Sequence, residues 1–302
     1  MGVLRAAMDI GTNSCRLVIV ETEEGHEKTL VRIVRMTRLG EGIGQGGLLI
    51  KQEAMDRTLA ALVEFQKVIG AYPVGKTWLM GTQALREAGN SQDFAAEVKE
   101  RTGFDLEIIS GEREAYLSYV GAAKAFAGTA FSQPYVLDIG AGSTELFYEG
   151  NAIDPKRQVH GASAPIGSLR LMEKPMDSDG IFGVLNEYWA GIAANIEANS
   201  KKPLVAVGGT ATTLGAIYLH MEEYDPEALL GLQIDKHSIQ EVIGLLESMT
   251  PQARLTLPGM LPGREDVMHW GLRIMLEVMR FCRQKQVAIC DRDLLFGVMD
   301  SE

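Results

Sequence analysis

The chain is poor in cysteine, in basic charge and in uninterrupted apolar sequence, and each shortage removes a class of protein. Three cysteines, Cys15, Cys282 and Cys290, occur in 302 residues. So sparse and odd a count builds no disulfide framework and suits a reducing compartment. Lysine and arginine total 29 against 40 acids, for a formal net charge of −11. Non-specific nucleic-acid binding needs a basic footprint, so no nucleic-acid partner is expected. The longest stretch without a formal charge, residues 203–221, holds three threonines and three glycines. It reads as a strand, a turn and a helix, which is no membrane span. No charged-then-apolar leader opens the sequence, so the expectation is a cytoplasmic protein with no membrane partner. The five histidines show no H-x-x-x-H spacing and no His-Asp pairing, so neither a zinc site nor a Ser-His-Asp triad is indicated.

Glycine, by contrast, is abundant at 33 residues and gathers beside apolar runs, where it shapes tight turns or lets backbone approach a ligand. One such turn occurs twice. Residues 9–17 read D-I-G-T-N-S-C-R-L and residues 138–146 read D-I-G-A-G-S-T-E-L. Asp9, Ile10, Gly11, Ser14 and Leu17 match Asp138, Ile139, Gly140, Ser143 and Leu146. Each copy follows one apolar run and leads into another, the pattern of a strand, a glycine turn and a second strand. The matching contexts point to duplication and to mixed α/β architecture in two halves, residues 1–125 and 126–302, with the terminal helix free to pack back on the first.

Further elements follow the same reading. In the first half a strand over 29–39, a helix over 51–69 and a strand at 77–80 are expected, then a helix from Ser91, a strand at 105–109 and a helix over 112–126. The second half predicts strands at 135–138, 143–149, 157–163, 204–207 and 286–289. Its helices are expected over 178–198, after Gly209, over 265–283 and from Arg292. Another starts near Ser238, where Ser238 and Glu241 form a capping-box pattern.

Two motifs mislead. Gly70-Ala-Tyr-Pro-Val-Gly75-Lys76-Thr77 matches a Walker A expression, but a helix precedes it and a strand follows, the reverse of what phosphate binding at a helix N-terminus requires. Gly42-Ile-Gly44-Gln-Gly46-Gly47 contains G-x-G-x-x-G without the following helix and acidic strand end of a dinucleotide site. It is expected to be a mobile loop.

The paired turns carry the chemistry. Phosphoryl transfer needs carboxylates for a divalent cation, inward backbone N–H groups and small residues that admit phosphate. Asp9 and Asp138 sit at strand ends before glycine, Ser14 and Ser143 supply hydroxyls, and strand alternation returns Glu145 to the face of Ser143. Val207-Gly208-Gly209-Thr210 breaks a buried strand into a helix start, a ready anion site. In Ser110-Gly111-Glu112-Arg113-Glu114, a Ser-capped helix start, Glu112 and Glu114 are either dipole-favoured capping acids or a water-orienting carboxylate. The residues alone do not choose between these readings. Arg86, in the polar turn 81–90, is either a phosphate clamp or a solvated charge. The basic run Arg264, Arg273, Arg280, Arg283, Lys285 and Arg292 is either a track for a polyanion or a solvated helix face.

These segments together resemble the exopolyphosphatase/guanosine pentaphosphate phosphatase (Ppx/GppA) family of the actin, Hsp70 and sugar-kinase superfamily. The likeness runs through DIGTNSCRLVI at 9–19, TRLGEGI at 37–43, GTQALREAGN at 81–90 and IISGEREA at 108–115. It continues through LDIGAGSTEL at 137–146, PIGSLRL at 165–171, VGGTATTL at 207–214, LPGMLPGREDVMHWG at 257–271 and LLFGV at 294–298. The resemblance implies two ribonuclease-H-like (actin-like ATPase) domains with an interdomain cleft, and a homodimer. It implies Mg²⁺ as cofactor, with Mn²⁺ as a substitute and K⁺ as a monovalent companion. It matches Glu114 to the family's water-activating glutamate, and Asp138 and Glu145, with Asp9 nearby, to the metal side. Phosphate contacts fall to Gly11, Thr12, Asn13, Ser14 and Arg16, to Arg86, to Gly140, Ala141, Gly142 and Ser143, and to Gly208, Gly209 and Thr210. Two departures stand out. Ala141 replaces a usual glycine, where a methyl narrows the turn if its φ is positive. Arg113 replaces a common acid, which is expected to lower the Glu114 pKa or to add a phosphate contact. The activity implied is Mg²⁺-dependent release of terminal orthophosphate from inorganic polyphosphate by water attack. The alternatives are pppGpp 5′-phosphohydrolysis and a non-hydrolytic (p)ppGpp or nucleotide sensor.

Overall fold

The computed structural model describes residues 2–42, 49–150, 159–199 and 201–301. The glycine loop's residues 43–48 and the predicted strand start at 157–158 lie outside these. Two units divide the chain: Met1–Glu114 with Val298–Glu302, and Ala115–Gly297.

The first unit is built on β1 (Val3–Ile10), whose Ala6, Ala7, Met8 and Ile10 are all fully buried. Burial of consecutive residues on both faces is the mark of a central strand. It pairs antiparallel with β2 (Ser14–Glu23), which pairs with β3 (His26–Met36). Helix α1 (Gln52–Ile69) buries Met55, Leu59, Leu62, Phe65 and Ile69 along one face. The chain then returns as β4 (Val74–Gly81), parallel to β1. Gly75 and Lys76 therefore lie inside a strand, and the Walker-like segment is a helix-to-strand connection. Next come α2 (Gln83–Glu87), α3 (Ser91–Thr102) and β5 (Leu106–Ile108), completing a sheet of order β3-β2-β1-β4-β5. The polar turn expected at 81–90 thus contains a short helix, and Arg86 sits on it. Arg5 Nη1 donates to the Met299 carbonyl at 2.5 Å, holding the chain's last residues to β1.

Helix α4 (Gly111–Ala125) begins in the first unit and ends in the second. There β6 (Tyr135–Ile139), β7 (Thr144–Glu149) and β8 (Val159–Ala164) form the second antiparallel meander. Three helices follow, α5 (Ser168–Glu173), α6 (Ser178–Tyr188) and α7 (Ala190–Ala198). The single helix expected over 178–198 is broken at Trp189, whose fully buried side chain and φ of −104° interrupt the turn. Strand β9 (Leu204–Val207) runs into α8 (Gly208–Tyr218), then α9 (Pro226–Leu229), β10 (Gln233–Asp235) and α10 (Lys236–Ser248). Asp235 caps α10, its side chain accepting from the Ser238 N–H. The Ser238/Glu241 box is therefore not the cap, because an acid three residues earlier reaches the Ser238 amide. Short α11 (Pro251–Arg254), α12 (Met268–Phe281), β11 (Gln286–Ile289) and α13 (Leu294–Asp300) end the chain. The sheet order is β10-β11-β9-β6-β7-β8. Its core joins Tyr135, Leu137, Trp189, Leu214, Leu272 and Met275.

The three cysteines are buried and free, and burial pushes the Cys282 and Cys290 thiols up to about 12. Among the described residues no helix is long and apolar enough to cross a membrane.

Candidate active site

The two D-I-G turns close in the same way. Gly11 N–H donates to the Ser14 carbonyl at 2.9 Å, and Gly140 N–H donates to the Ser143 carbonyl at 2.9 Å. Each turn is also tied to the parallel neighbour strand through a threonine. Thr82 donates to the Ile10 carbonyl from its N–H at 3.1 Å and its Oγ1 at 3.2 Å, and Thr210 Oγ1 donates to the Ile139 carbonyl at 2.9 Å. Thr210 is 2% exposed, so its hydroxyl anchors the start of α8 to β6.

Both loops are braced from behind. The Thr12 carbonyl accepts from Gly40 N–H, and the Asn13 carbonyl from the amides of Thr37 and Arg38. In the second copy the Gly140 and Ala141 carbonyls accept from the first amides of α5, and Arg170 Nε donates to the Gly142 carbonyl at 2.9 Å. Ala141 is not among the residues with positive φ, so its methyl imposes no left-handed strain and the conditional narrowing does not arise. Asn13 is buried, and its Oδ1 has no hydrogen-bond partner among the described residues. A buried acceptor of this kind is a group left for solvent or ligand.

Side chains separate the copies. Asp9 of β1 directly opposes Arg16 of β2, and the guanidinium clasps it in a bidentate pair, Nε to Oδ1 and Nη2 to Oδ2, both 2.8 Å. Asp9 is 4% exposed, and a buried carboxylate needs such compensation. The pair weighs against Asp9 as a metal ligand, since a cation there would displace the arginine. At the same positions of the second hairpin, Asp138 directly opposes Glu145. Opposed residues of an antiparallel pair share a face with Cβ atoms roughly 5 Å apart, so two acidic side chains rise from neighbouring points of one face, both half-buried. Against Asp138 lies Gly208, with φ +76° and no room for a side chain: a methyl there would sit 2.7 Å from Asp138 Oδ1. A methyl on Gly209 would overlap the Arg264 guanidinium. Arg264 thus lies on the first turn of α8, a placement that neither the basic run nor the motif at 257–271 revealed.

Glu112 is exposed, whereas Glu114 is half-buried and accepts from Arg86 Nη1 at 2.6 Å. Arg86 Nη1 also donates to the Ile109 carbonyl at 3.1 Å, and Ser110 Oγ caps the helix at the Arg113 amide. Burial raises the Glu114 pKa above the usual carboxylate range; Arg86 opposes the rise, and the nearby charge of Asp9 adds to it. The lowering expected from Arg113 is replaced by a rise, with Arg86 as the basic neighbour. The basic run is largely paired: Arg273 with Glu247, Arg280 with Asp179 and Glu277, and Arg283 with Glu197.

A cation fits the second hairpin. Among the described residues no cluster of three or more His, Cys, Asp or Glu side chains forms. A carboxylate pair is nonetheless the donor set of magnesium, which keeps several waters and completes its shell on phosphate oxygens.

Comparison with known proteins places the chain in a class. The family model for the Ppx/GppA phosphatase family matches residues 18–302. Exopolyphosphatase 2 of Mycobacterium tuberculosis is 30% identical, over 97% of this chain and 96% of the relative. The bifunctional 3-dehydroquinate synthase/phosphatase of Fusobacterium nucleatum is 29% identical over 98% of this chain, which spans 46% of that longer protein. A crystal structure of an exopolyphosphatase from Cytophaga hutchinsonii superposes with a TM-score of 0.85 at 25% identity, covering 99% of this chain and 97% of that one. The chain belongs to the Ppx/GppA phosphatase family, within the actin-like ATPase superfamily. Its enzyme class is phosphoanhydride hydrolysis.

Proposed function

We propose that the protein is a Mg²⁺-dependent exopolyphosphatase that releases terminal orthophosphate from inorganic polyphosphate by water attack. The observation that carries this reading is the directly opposed Asp138–Glu145 pair beside the glycine turn of α8. These two carboxylates hold the cation, which when bound neutralises charge on the phosphoryl oxygens. Glu114 orients the attacking water and accepts its proton, while Arg86 fixes the carboxylate by the 2.6 Å contact. Backbone amides of Thr12, Asn13, Ala141, Gly142 and the first turn of α8 bind phosphate oxygens, the Gly11 and Gly140 amides being engaged within their turns. Such preorganised donors act where charge develops. The Mycobacterium tuberculosis relative, matched along nearly its whole length, supports polyphosphate as the first substrate. The pairing of Arg273, Arg280 and Arg283 with acids favours a short polyanion over a long one, which makes pppGpp the second.

Phosphate release from polyphosphate and from pppGpp with Mg²⁺ tests the proposal. Glu114→Gln should lower kcat by about 10²–10⁴-fold, the usual contribution of a general base. Because the base must be ionised and its pKa is raised, kcat/KM should fall with decreasing pH at a value above the ordinary carboxylate range. The linked stability has the opposite sense: a raised acid favours the fold below its unfolded pKa, and that contribution is lost as pH rises through the folded one. Glu114→Gln should therefore melt higher than wild type at neutral pH. Absence of release from either substrate by concentrated enzyme would leave a nucleotide sensor as the reading.

A further inference from the structure

The sheet of the second unit sets three side chains in one row. Asp138 of β6 opposes Glu145 of β7, and Glu145 opposes Ser163 of β8. Opposed residues project from one face. Ser163 Oγ donates to Glu145 Oε1 at 2.7 Å, a charge-assisted bond roughly twice as strong as a neutral one. Ser163 lies on the outermost strand, exposed, between Ala162 and Ala164, so core packing does not select a hydroxyl there. The corresponding row of the first unit runs Asp9, Arg16, Val34. Where the middle residue is an arginine already held by Asp9, the third strand offers no hydroxyl. Where it is a carboxylate, the third strand supplies one.

We propose that Ser163 is a positioning residue of the cation site: its hydroxyl fixes one oxygen of Glu145, so that the carboxylate meets the divalent cation in a single orientation. The inference rests on the assignment of Asp138 and Glu145 to the metal. Glutamate has three rotatable bonds, and cation binding must otherwise immobilise them. Outer partners that orient ligating carboxylates typically contribute about 10–100-fold in metal affinity.

Mn²⁺ affinity, read directly by electron paramagnetic resonance of the free ion, with Mg²⁺ competition, tests the proposal without recourse to turnover. Ser163→Ala should bind Mn²⁺ about 10-fold more weakly, Ser163→Thr should restore binding, and Glu145→Gln should abolish the competed site. Wild-type affinity in Ser163→Ala, with binding lost in Glu145→Gln, would overturn the role of Ser163 and leave the cation site standing. Weak binding that Ser163→Thr fails to restore would also overturn it, since the loss would then come from the strand and not from the hydroxyl. Unchanged binding in Glu145→Gln would overturn the metal assignment itself, and the inference with it.

Discussion

The rows Asp9–Arg16–Val34 and Asp138–Glu145–Ser163 occupy corresponding positions in two sheets whose first four strands follow the same order, β3-β2-β1-β4 and β8-β7-β6-β9. Their backbones agree closely. Both turns close with a glycine amide on a serine carbonyl at 2.9 Å, and both are tied by threonine to the isoleucine carbonyl. The charges do not agree: the first row is neutral by its internal ion pair, and the second carries two carboxylates. The two copies share the hydrogen bonds that build the turn and differ in the residue that faces the aspartate across the strands, Arg16 against Glu145. A turn of this kind specifies where a charge is presented, and the opposing strand decides its sign.

Glu145→Arg breaks the comparison most directly. It gives the second hairpin the pairing of the first, with the introduced guanidinium placed to clasp Asp138 as Arg16 clasps Asp9. Cation binding and Mg²⁺-dependent phosphate release should fall by at least about 100-fold, the upper range for disturbing a metal's supporting shell. The fold should persist, because the introduced guanidinium faces Asp138 as Arg16 faces Asp9. Mn²⁺ titration with circular dichroism checks both halves. Retained cation binding would show that Glu145 does not distinguish the two hairpins.

The first hairpin should fail through stability instead. Arg16→Met leaves the Asp9 carboxylate, 4% exposed, without its bidentate partner. Removing one member of a buried pair typically costs about 3–5 kcal/mol, read as a lower urea midpoint for the unit that contains β1. Removing both charges, in Asp9→Asn with Arg16→Met, should recover much of the loss, because no uncompensated charge remains. If Arg16→Met unfolds at the wild-type midpoint, the Asp9–Arg16 pair is solvated and the two hairpins differ less than the distances suggest.

Much of this is legible from residues. The repeated D-I-G turn, the strand breaking into Gly208-Gly209-Thr210 and the reversed context of Gly70–Thr77 all depend on local pattern, and local pattern is what sequence displays. Less visible are features set by register. The Asp9–Arg16 pair and the Ser163–Glu145 bond follow from which residues face each other across strands, and the β7–β8 pairing depends on a connection that sequence does not fix. Arg86 reads as a turn residue because its helix is a single short one between Thr82 and Ala88. Arg264 reaches Gly209 from far along the chain, with no periodic signal to announce it. Trp189 breaks a helix whose apolar spacing runs through the break, because its buried side chain outweighs local propensity.

The smallest expected effect concerns the turn residue that differs between the copies. Sequence marks Ala141 as a departure from the family's usual glycine, with a narrowed turn expected on the condition that its φ is positive. It is not, and its carbonyl already accepts from the Leu169 and Arg170 amides. An alanine in an ordinary conformation restricts the unfolded chain without straining the folded one. Ala141→Gly should therefore lower stability by about 0.4–1 kcal/mol, acting through the unfolded state. Its kcat and its phosphate affinity should stay near wild type, because the backbone that presents the loop amides is held by α5 and Arg170 and not by the methyl group. A distinct rise in kcat or phosphate affinity in Ala141→Gly would mean that the methyl does narrow the second cradle. Side-chain bulk in the turn would then join cross-strand charge as a difference between the hairpins.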